Sequence, residues 1–322
     1  MKYQNIIMML FAMVVISACN LNEVFDREQY KHVIALKSDG TFKLFTQEID
    51  FSDVDSEGFA TGFISATVGG SLVTEQAIRL NIVEDPVIFN QYNQYNYAWE
   101  TYRYANLLPE NRKIISNYSI NIPAGERTGI MNMRIRVNGL SPDSTYMIPF
   151  RVSSVSAYEM NQEKNTVLYR LRLKNQWSST ANISQYSHKG TWRRTDIVST
   201  TEISTMMQKH VYPLSANQVR IFTGDRGFEA KELDIVQWAM ILTMDDAGNV
   251  TITPWDDSEL GLKVTQMNDE DERYPNKYSI VVDAWGRQFK TFMLCYEFVH
   301  PENGQTHLMK EELKIEHRPE VR

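Results

Sequence analysis

The stretch "GIMNMRIRVNG", residues 129–139, alternates apolar and polar side chains with a period of two. Its larger apolar members all stand at odd positions from 131 onwards: Met131, Met133, Ile135 and Val137. Successive side chains of a β-strand point to opposite faces, so this pattern predicts a strand with one buried and one solvated face. Such half-buried strands are typical of antiparallel sheets.

The same alternation recurs along the chain. It is found in "AIRLNIVED" (77–85) and "TVLYRLRLK" (166–174), and turn-forming residues separate such runs, as in "SPDS" (141–144). Only "TTEISTMMQKH" (200–210) has a helical pattern, which predicts one short helix. The sequence therefore predicts an all-β protein of antiparallel strands.

The length and one change of composition indicate two domains. A chain of 322 residues exceeds one average domain. The alternation stops in "LKNQWSSTANISQYS" (173–187), where small polar residues take over. We expect a first domain of sandwich size at residues 29–175, a linker at 176–187 and a second domain at 188–322.

The N-terminus has the pattern of an export signal. A basic end is followed by an apolar run, residues 6–16, and by the small residues of "SAC". This order predicts a signal peptide at 1–18, because the run is shorter than the roughly 20 residues that span a membrane. Cys19 resembles the lipidated first residue of bacterial lipoproteins, and we expect a lipid anchor there with a tether at 19–28. Ordinary secretion, with Cys19 incidental, is the alternative.

The charge balance argues against nucleic acid as a partner. The chain has 33 basic and 40 acidic residues, a formal net charge of −7, and its basic residues are scattered. Nucleic acid and anionic lipid are both bound through clustered basic side chains. We therefore expect no nucleic-acid partner and no electrostatic attachment to lipid.

The second cysteine, Cys295, has no partner for a disulfide if Cys19 is lipidated. In "KTFMLCYEFV" (290–299), the even-numbered apolar side chains share one face and Cys295 falls on the other. Nothing beside the thiol would lower its pKa, so we interpret Cys295 as structural and not as a nucleophile.

The order of motifs in the first half resembles a known domain. The motifs are "VGGSLVTEQAIRLNIVEDP" (68–86), "QYN" (91–93), "NLLPENRKIISNYSINIPAGE" (106–126) and "YMIPFRVSSV" (146–155). They resemble the N-terminal domain of unknown function on many Bacteroidetes surface lipoproteins, including some that bear a family 18 glycosidase. The second half, from "GTWRRTDIV" through "LMKEELKIEH", resembles the companion C-terminal domain.

This resemblance implies an Ig-like β-sandwich followed by a second antiparallel β domain, either a sandwich or barrel-like. It also implies a lipid-anchored protein of the outer membrane, facing the cell exterior beside the glycan importers of a polysaccharide-utilisation system. Neither domain carries an activity that can be transferred residue by residue.

One segment matches a catalytic signature. Asp50 to Glu57 fits DxxDxDxE of family 18 glycosidases, whose final Glu is the general acid. That signature belongs to a (β/α)₈ barrel of about 250 residues, and no alternation of strand and helix follows here. We interpret the segment as an acidic surface loop between two strands.

Metal ligands are incomplete at each candidate site. A half calcium loop starts at Asp53, but Ile64 stands where the bidentate Glu belongs. His300 and His307 could face each other across a hairpin, yet no third ligand is evident. We therefore predict no metal, no cofactor and no catalytic residue.

The stretch "QYNQYNYAWETYRY", residues 91–104, is rich in rings and amides. Tyr95, Tyr97 and Trp99 share a parity, so an extended segment would place all three on one side. We predict that at least one ring is exposed to stack on a glycan, with Glu100 and Arg103 as hydroxyl partners. The alternative is that the rings plug the end of the sandwich.

Tryptophans of the second domain form an alternative candidate surface for glycan binding. Trp255 follows the strand "NVTITP" and leads into a polar loop, where we expect an exposed platform. Trp285 is a second candidate ligand-binding residue, and Trp192 belongs to the same surface. Trp238 alternates with Val236 and Met240, which predicts a core position.

The sequence thus favours a non-catalytic cell-surface lipoprotein that binds or helps capture glycans. A structural or assembly module that contacts a partner protein of the outer membrane is the second hypothesis, and an enzyme is the third. Exposed rings on one face would favour glycan, whereas a mixed apolar patch or an open edge strand would favour protein.

Overall fold

The computed structural model describes residues 28–228, 231–268 and 270–318. The predicted signal peptide and Cys19 lie outside these residues. Within the three ranges, we find no helix with the length and apolar character that a membrane crossing requires.

Strands dominate the described residues, and the prediction of an all-β protein is confirmed. In chain order the strands are β1 (Val33–Leu36), β2 (Leu44–Asp50), β3 (Ala60–Val68), β4 (Ile78–Glu84), β5 (Asn106–Leu107), β6 (Lys113–Ile114), β7 (Ser119–Ile122), β8 (Thr128–Ile135), β9 (Tyr146–Val155), β10 (Glu159–Met160), β11 (Thr166–Lys174), β12 (Ser184–Arg194), β13 (Ile203–Ser215), β14 (Gln218–Phe222), β15 (Ala239–Met244), β16 (Val250–Pro254), β17 (Val264–Gln266), β18 (Lys277–Val282), β19 (Gln288–Val299) and β20 (Thr306–His317). The α-helices of the described residues are α1 (Val87–Tyr97) and α2 (Glu232–Trp238).

The described chain divides into two compact units. The first contains residues 28–46, 62–134 and 147–170, and the second contains 47–61, 135–146 and the described part of 171–318. We describe each unit by itself.

Two sheets form the predicted β-sandwich. One has the order β10-β1-β3-β8-β6, and the other has the order β2-β11-β9-β4-β7 with β5 also paired to β9. β1 and β10 are parallel, whereas β1–β3, β4–β7 and β4–β9 are antiparallel. Met131, Met133 and Ile135 of β8 are buried on alternate positions, as the opening stretch predicts.

Two strands of the second of these sheets are buried on both faces. In β9, Met147 and Ile148 are adjacent and both buried, and in β11 the same is true of Val167 and Leu168. Adjacent residues point to opposite faces, so something must cover the outer face here. Helix α1 does so, because its buried residues cluster with Met147 and Leu168.

The second unit is built on a nine-stranded sheet with the order β16-β15-β14-β13-β12-β20-β19-β17, in which β18 also pairs with β19. The two ends of this sheet meet, because the backbone N–H of Ile252 on β16 donates to Oε1 of Gln266 on β17 at 2.8 Å. The sheet is therefore nearly closed and barrel-like. Trp238 is 3% exposed in its core, as predicted.

The segment "TTEISTMMQKH" is not helical, contrary to the prediction. Residues from Ile203 onwards belong to β13, which pairs antiparallel with β12 from Ile203–Trp192 to Val211–Ser184. A complete ladder of backbone hydrogen bonds with a long neighbouring strand outweighs the weak helical preference of single residues.

The segment expected to be a linker, 176–187, also contributes to packing. Trp177 and Tyr186 are buried in the core of the second unit, and the Tyr186 hydroxyl donates to the Trp177 carbonyl at 2.8 Å. β12 already begins at Ser184. These two rings give the segment a structural role that its small polar composition does not indicate.

Candidate functional site

The aromatic stretch begins as a helix, which corrects the expectation of an extended segment. α1 starts after Pro86, and Oδ1 of Asp85 accepts the Val87 N–H at 3.1 Å. Proline is favoured at a helix start because its missing N–H would have no partner there. In a helix Tyr95 and Tyr97 lie about 200° apart around the axis, so Tyr95, Tyr97 and Trp99 do not share one face.

α1 is held to the sheet by Phe89 and by the residues three and four positions after it, Tyr92 and Asn93. Phe89 and Tyr92 are each 7% exposed and pack with Ala105, Met147 and Leu168. This spacing places side chains on one face of a helix, which here is the face turned to the sheet. The helix is thus a rigid element on the outside of the sandwich.

The third buried residue of that face, Asn93, fixes the loop that follows the helix. Its Nδ2 donates to the Ala105 carbonyl at 3.0 Å, and its Oδ1 accepts the Ala105 N–H at 2.8 Å. The Tyr104 hydroxyl donates to the Ala98 carbonyl at 2.6 Å, which closes the loop a second time. The two bonds of Asn93 satisfy the backbone of the buried Ala105, and the three bonds together hold the loop against α1.

Trp99 projects from this loop into solvent. The helix ends at Tyr97, and Ala98 has a φ of 46°, a left-handed conformation that reverses the chain. The Trp99 ring is 87% exposed. Because the backbone on both sides is hydrogen bonded, the ring is presented by a fixed loop.

A groove of about 960 Å³ lies beside α1 in the first unit. Phe89 and Ala105 form part of its apolar lining, and the exposed side chains of Trp99 and Leu107 border it. Three exposed amide residues complete the border: Asn90, Gln94 and Asn106. Among the described residues that line the groove, none carries a charge.

A second groove, of about 710 Å³, lies on the opposite flank of α1. It is bordered by Gln91 of the helix and by charged residues, among them Lys43 and Glu163. Nε of Arg151 lies 2.6 Å from Oδ2 of Asp85 at this groove. The Val87 N–H, followed by Arg151, lowers the pKa of Asp85. α1 therefore separates an uncharged groove from a charged one.

The five predicted ligand residues of this stretch are dispersed. Trp99 lines the uncharged groove, whereas Tyr95 is 79% exposed near the other flank, 5.2 Å from the Phe42 ring centroid. Tyr97 is partly buried. Nη1 of Arg103 donates to Oε2 of Glu100 at 2.9 Å. Glu100 and Arg103 thus bind each other.

Trp285 of the second unit is exposed, as a binding residue would be. It lies in the turn between β18 and β19 and is 81% exposed. Oδ1 of Asp283 accepts the N–H groups of Trp285 and Arg287, and the Arg287 guanidinium lies 5.3 Å from the Trp285 ring centroid.

Trp255 is not an exposed platform, contrary to expectation. Its ring is partly buried against the core of the second unit, and the Arg220 guanidinium lies 5.0 Å from its centroid. Trp255 directly follows β16, and the hydrogen bond from its backbone N–H to the Ala239 carbonyl holds it close to the core. Trp192 is also partly buried, stacked on His307 at 4.5 Å.

The histidine pair faces across the β19–β20 turn, as predicted. The His300 and His307 ring centroids are 5.5 Å apart. Burial, followed by the charge of His300, lowers the pKa of His307. Within the ranges that the structure describes, no three histidine, cysteine or acidic side chains come together as metal ligands.

Two further predictions concern residues without a ligand role. Cys295 is fully buried, and burial raises the pKa of its thiol to about 11, which suits a structural residue. Asp50 ends β2, and the residues from Phe51 to Glu57 lead to β3 through one 3₁₀ turn, with Oδ1 of Asp55 accepting the Glu57 N–H at 2.9 Å.

The sequence interpretation missed most of the groove. Asn90, Asn106 and Leu107 were not predicted, and Gln94 was included only among the amides of the stretch 91–104. The signal that could have found them is the helix start at Asp85–Pro86 with apolar residues three apart. That helix brings Asn90 and Gln94, four residues apart, onto one flank.

The chain matches two family models. One describes an N-terminal domain and matches residues 30–159, and the other describes the corresponding C-terminal domain and matches residues 165–314. No curated protein matches the chain.

Solved structures with the same fold come from Bacteroides. A protein of unknown function from Bacteroides ovatus is 15% identical, with a TM-score of 0.65, over 88% of this chain and 94% of that chain. A multidomain protein from the same species is 13% identical, with a TM-score of 0.62 and the same coverage. An auxiliary nutrient binding protein from Bacteroides thetaiotaomicron is 14% identical, with a TM-score of 0.55, over 85% and 90% of the two chains.

Proposed function

The chain belongs to the family defined by these paired N-terminal and C-terminal domains, and from this premise we propose that it is a non-catalytic surface lipoprotein that binds glycans. It would capture oligo- or polysaccharides for a polysaccharide-utilisation system, beside the glycan importers of the outer membrane. A structural neighbour described as an auxiliary nutrient binding protein is consistent with this role.

The observation that carries the proposal is the uncharged groove beside α1. Sugar rings have apolar C–H faces that pack on indole, and hydroxyl groups that hydrogen bond to amides. The groove offers both, with Trp99 at its border and Asn90, Gln94 and Asn106 around it. Ligand sites are mostly apolar concave surfaces with a few polar groups, and the groove has this composition.

The absence of catalysis is part of the proposal, and the acidic segment supports it. Glu57 lies in a loop between two strands of an all-β fold, outside the (β/α)₈ barrel in which the glycosidase signature acts. In family 18 glycosidases the Asp before the general acid orients the substrate, and both residues are held at the end of a barrel strand.

The direct test uses the soluble form, residues 20–322, on a glycan array, followed by affinity measurements on single-ring variants. We expect Trp99→Ala to weaken binding by about 1–3 kcal/mol, if stacking on sugar resembles stacking on bases. The melting temperature should hardly change, because the ring is 87% exposed.

Trp285→Ala is the matched control, since that ring is 81% exposed but lies in the second unit. It should leave glycan affinity unchanged. Binding that survives Trp99→Ala and is lost in Trp285→Ala would move the site to the second unit.

The lipid anchor is proposed at Cys19, on the basis of "SAC" after the apolar run. Cys19→Ala should release the protein from membranes or leave its signal peptide uncut, because the thiol is the lipidated group. Cell fractionation with an intact-mass measurement checks this. Normal processing and unchanged membrane attachment of the variant would contradict the anchor.

The second candidate function is contact with a partner protein, and one edge strand favours it. Among the described strands, β18 pairs with β19, and on its other edge Lys277 and Tyr278 bond to the backbone of residues 248–249, which leaves residues 279–282 of that edge open. Ile280, Val281 and Val282 of β18 are 48%, 40% and 58% exposed. An unpaired edge with exposed β-branched side chains can accept a strand from another protein. This candidate becomes the better one if the array shows no glycan bound.

A further inference from the structure

We infer that the groove beside α1 selects neutral glycans and excludes those that carry uronate or sulfate groups. This inference deepens the proposed function and rests on it. It follows from where the charged side chains of the first unit lie relative to α1, and from what those side chains already bind.

The border of the groove offers only uncharged hydrogen-bonding groups. Its exposed polar side chains are the amides of Asn90, Gln94 and Asn106, which donate and accept equally well and so suit hydroxyl groups. A carboxylate or sulfate in contact with this groove would give up part of its hydration without gaining an ionic partner. That loss opposes binding unless a charge-assisted hydrogen bond replaces it.

The nearest cation in the sequence, Arg103, already has an acidic partner and does not line the groove. Its Nη1 is bonded to Oε2 of Glu100, and its guanidinium lies 5.4 Å from the Tyr97 ring centroid. Oε1 of Glu100 accepts the Tyr102 hydroxyl at 3.2 Å. The pair is neutral as a unit, and neither member lines the groove.

The charged side chains lie on the other flank of the helix. Arg151, Lys43, Asp85 and Glu163 border the second groove, with Gln91 on the helix between them. Gln94 lines the first groove, and Gln162, an exposed residue outside the helix, lines the second. They form a matched pair for testing which groove binds and which charge it accepts.

The groove is also wide enough for a chain of sugars. Its volume of about 960 Å³ is near the upper end of small-molecule sites, roughly 300–1,000 Å³. It is open to solvent along the helix, and the two exposed apolar side chains, Trp99 and Leu107, border it. An open trough accepts the interior of a glycan chain, whereas a closed pocket accepts only its end.

The test is an array that carries neutral polysaccharides, namely mannans, xylans and β-glucans, beside acidic ones, namely galacturonans and chondroitin sulfate. We expect binding to neutral polymers alone, lost in Trp99→Ala. Affinity should change by less than about twofold between about 0.02 and 0.5 M salt, because no ion pair forms that salt could screen.

Charge variants at the matched glutamines complete the test. Gln94→Lys should raise the affinity for an acidic polymer at least about fivefold over wild type, since it adds a charge-assisted donor to the groove. Gln162→Lys, in the second groove, should not. An acidic glycan that binds the wild type and is lost in Trp99→Ala would overturn the inference and leave the proposed function standing. An array without any bound glycan would overturn the proposed function itself.

Discussion

At the scale of single residues, Arg220 is the largest fully buried side chain in the part of the chain that the structure describes. Its Nη1 and Nη2 lie 2.6 and 2.5 Å from the two carboxylate oxygens of Asp143, a bidentate pair within the second unit. The faces of Tyr212 and Trp255 lie 5.1 and 5.0 Å from the guanidinium carbon. Ion pairing and stacking on aromatic faces together compensate for the lost hydration of the cation.

Asp143→Ala should therefore be strongly destabilising. It leaves the guanidinium buried without a counter-charge, which costs roughly 3–5 kcal/mol in buried pairs. Urea unfolding measures this cost. Asp246→Ala, at an exposed turn of the same unit, is the control and should stay within about 0.5 kcal/mol of wild type. Equal effects of the two substitutions would show that the pair contributes little.

Two predictions about single residues are confirmed, although their reasons were incomplete. Trp238 is buried, but it ends helix α2 and does not share a face with Val236. At least one ring of the aromatic stretch is exposed, as predicted, and both Tyr95 and Trp99 are. Trp255 was misjudged because its environment is set by Arg220, which is 35 residues away in the chain and is brought near by the pairing of β14, β15 and β16. Sequence alone does not give the register of those strands.

At the scale of elements, the joint between α1 and its following loop depends on Asn93. The amide makes two hydrogen bonds to the backbone of Ala105, and Asn93 is 3% exposed. A side chain that satisfies one buried donor and one buried acceptor cannot be replaced by an apolar one without leaving both unpaired. The position of Trp99 follows from this joint.

Asn93→Ala should cost about 1–3 kcal/mol of unfolding free energy, the penalty of unsatisfied buried polar groups. It should also weaken glycan binding, because the loop that carries Trp99 loses its attachment. Thermal melts and the affinity assay report the two effects. Asn96→Ala is the control on the same helix, because Asn96 is exposed and bonds only to the Tyr92 carbonyl in the preceding turn. If the Asn93→Ala protein kept the stability and the glycan affinity of the wild type, Asn93 would not have this role.

Strands were predictable because a period of two over eight or more residues is a strong local signal, as in β8 and β11. α1 was missed because its exposed face carries rings, which masks the helical period of Phe89, Tyr92 and Asn93. β13 was mistaken for a helix because its pairing with β12 is a long-range property. A local pattern gives the element type when one period extends along most of the element, as it does in β11 although Val167 and Leu168 are both buried.

At the scale of the whole molecule, the interior of the second unit contains a charge cluster. Oε2 of Glu311 lies 2.5 Å from Nζ of Lys209 and 2.9 Å from Nε2 of His188, and the Tyr296 hydroxyl donates to Oε1 at 3.1 Å. All four side chains are at most 2% exposed. Burial alone would raise the pKa of Glu311, but Lys209 and His188 outweigh it and hold the pKa below the ordinary value of 4.5.

Stability should therefore fall as the pH drops below about 4.5, the ordinary value for Glu. In that range the unfolded chain binds a proton at this position that the folded chain does not, so acid favours unfolding. Urea midpoints between pH 7 and pH 4 test this. The double variant Lys209→Met with Glu311→Gln should have a shallower pH dependence than wild type. An identical slope would exclude Glu311 as a contributor.

The architecture of the molecule was more predictable than its site. Alternation along β8 and β11 fixed the fold class, and short motifs such as "IPAG" indicated the family that the domain models match. The groove was not predictable, because it combines α1 with residues 98–107 through Asn93. A site assembled from a helix flank and a returning loop has no single period in the sequence.

The unequal exposure of the tryptophans has a practical consequence. Trp177 and Trp238 are buried, Trp192 and Trp255 are partly buried, and only Trp99 and Trp285 of the six are strongly exposed. Collisional quenchers in solution will reach those two indoles first. In a Trp285→Phe background the quenchable emission would come mainly from Trp99, so the protein would report occupancy of its own groove by fluorescence, without any attached dye.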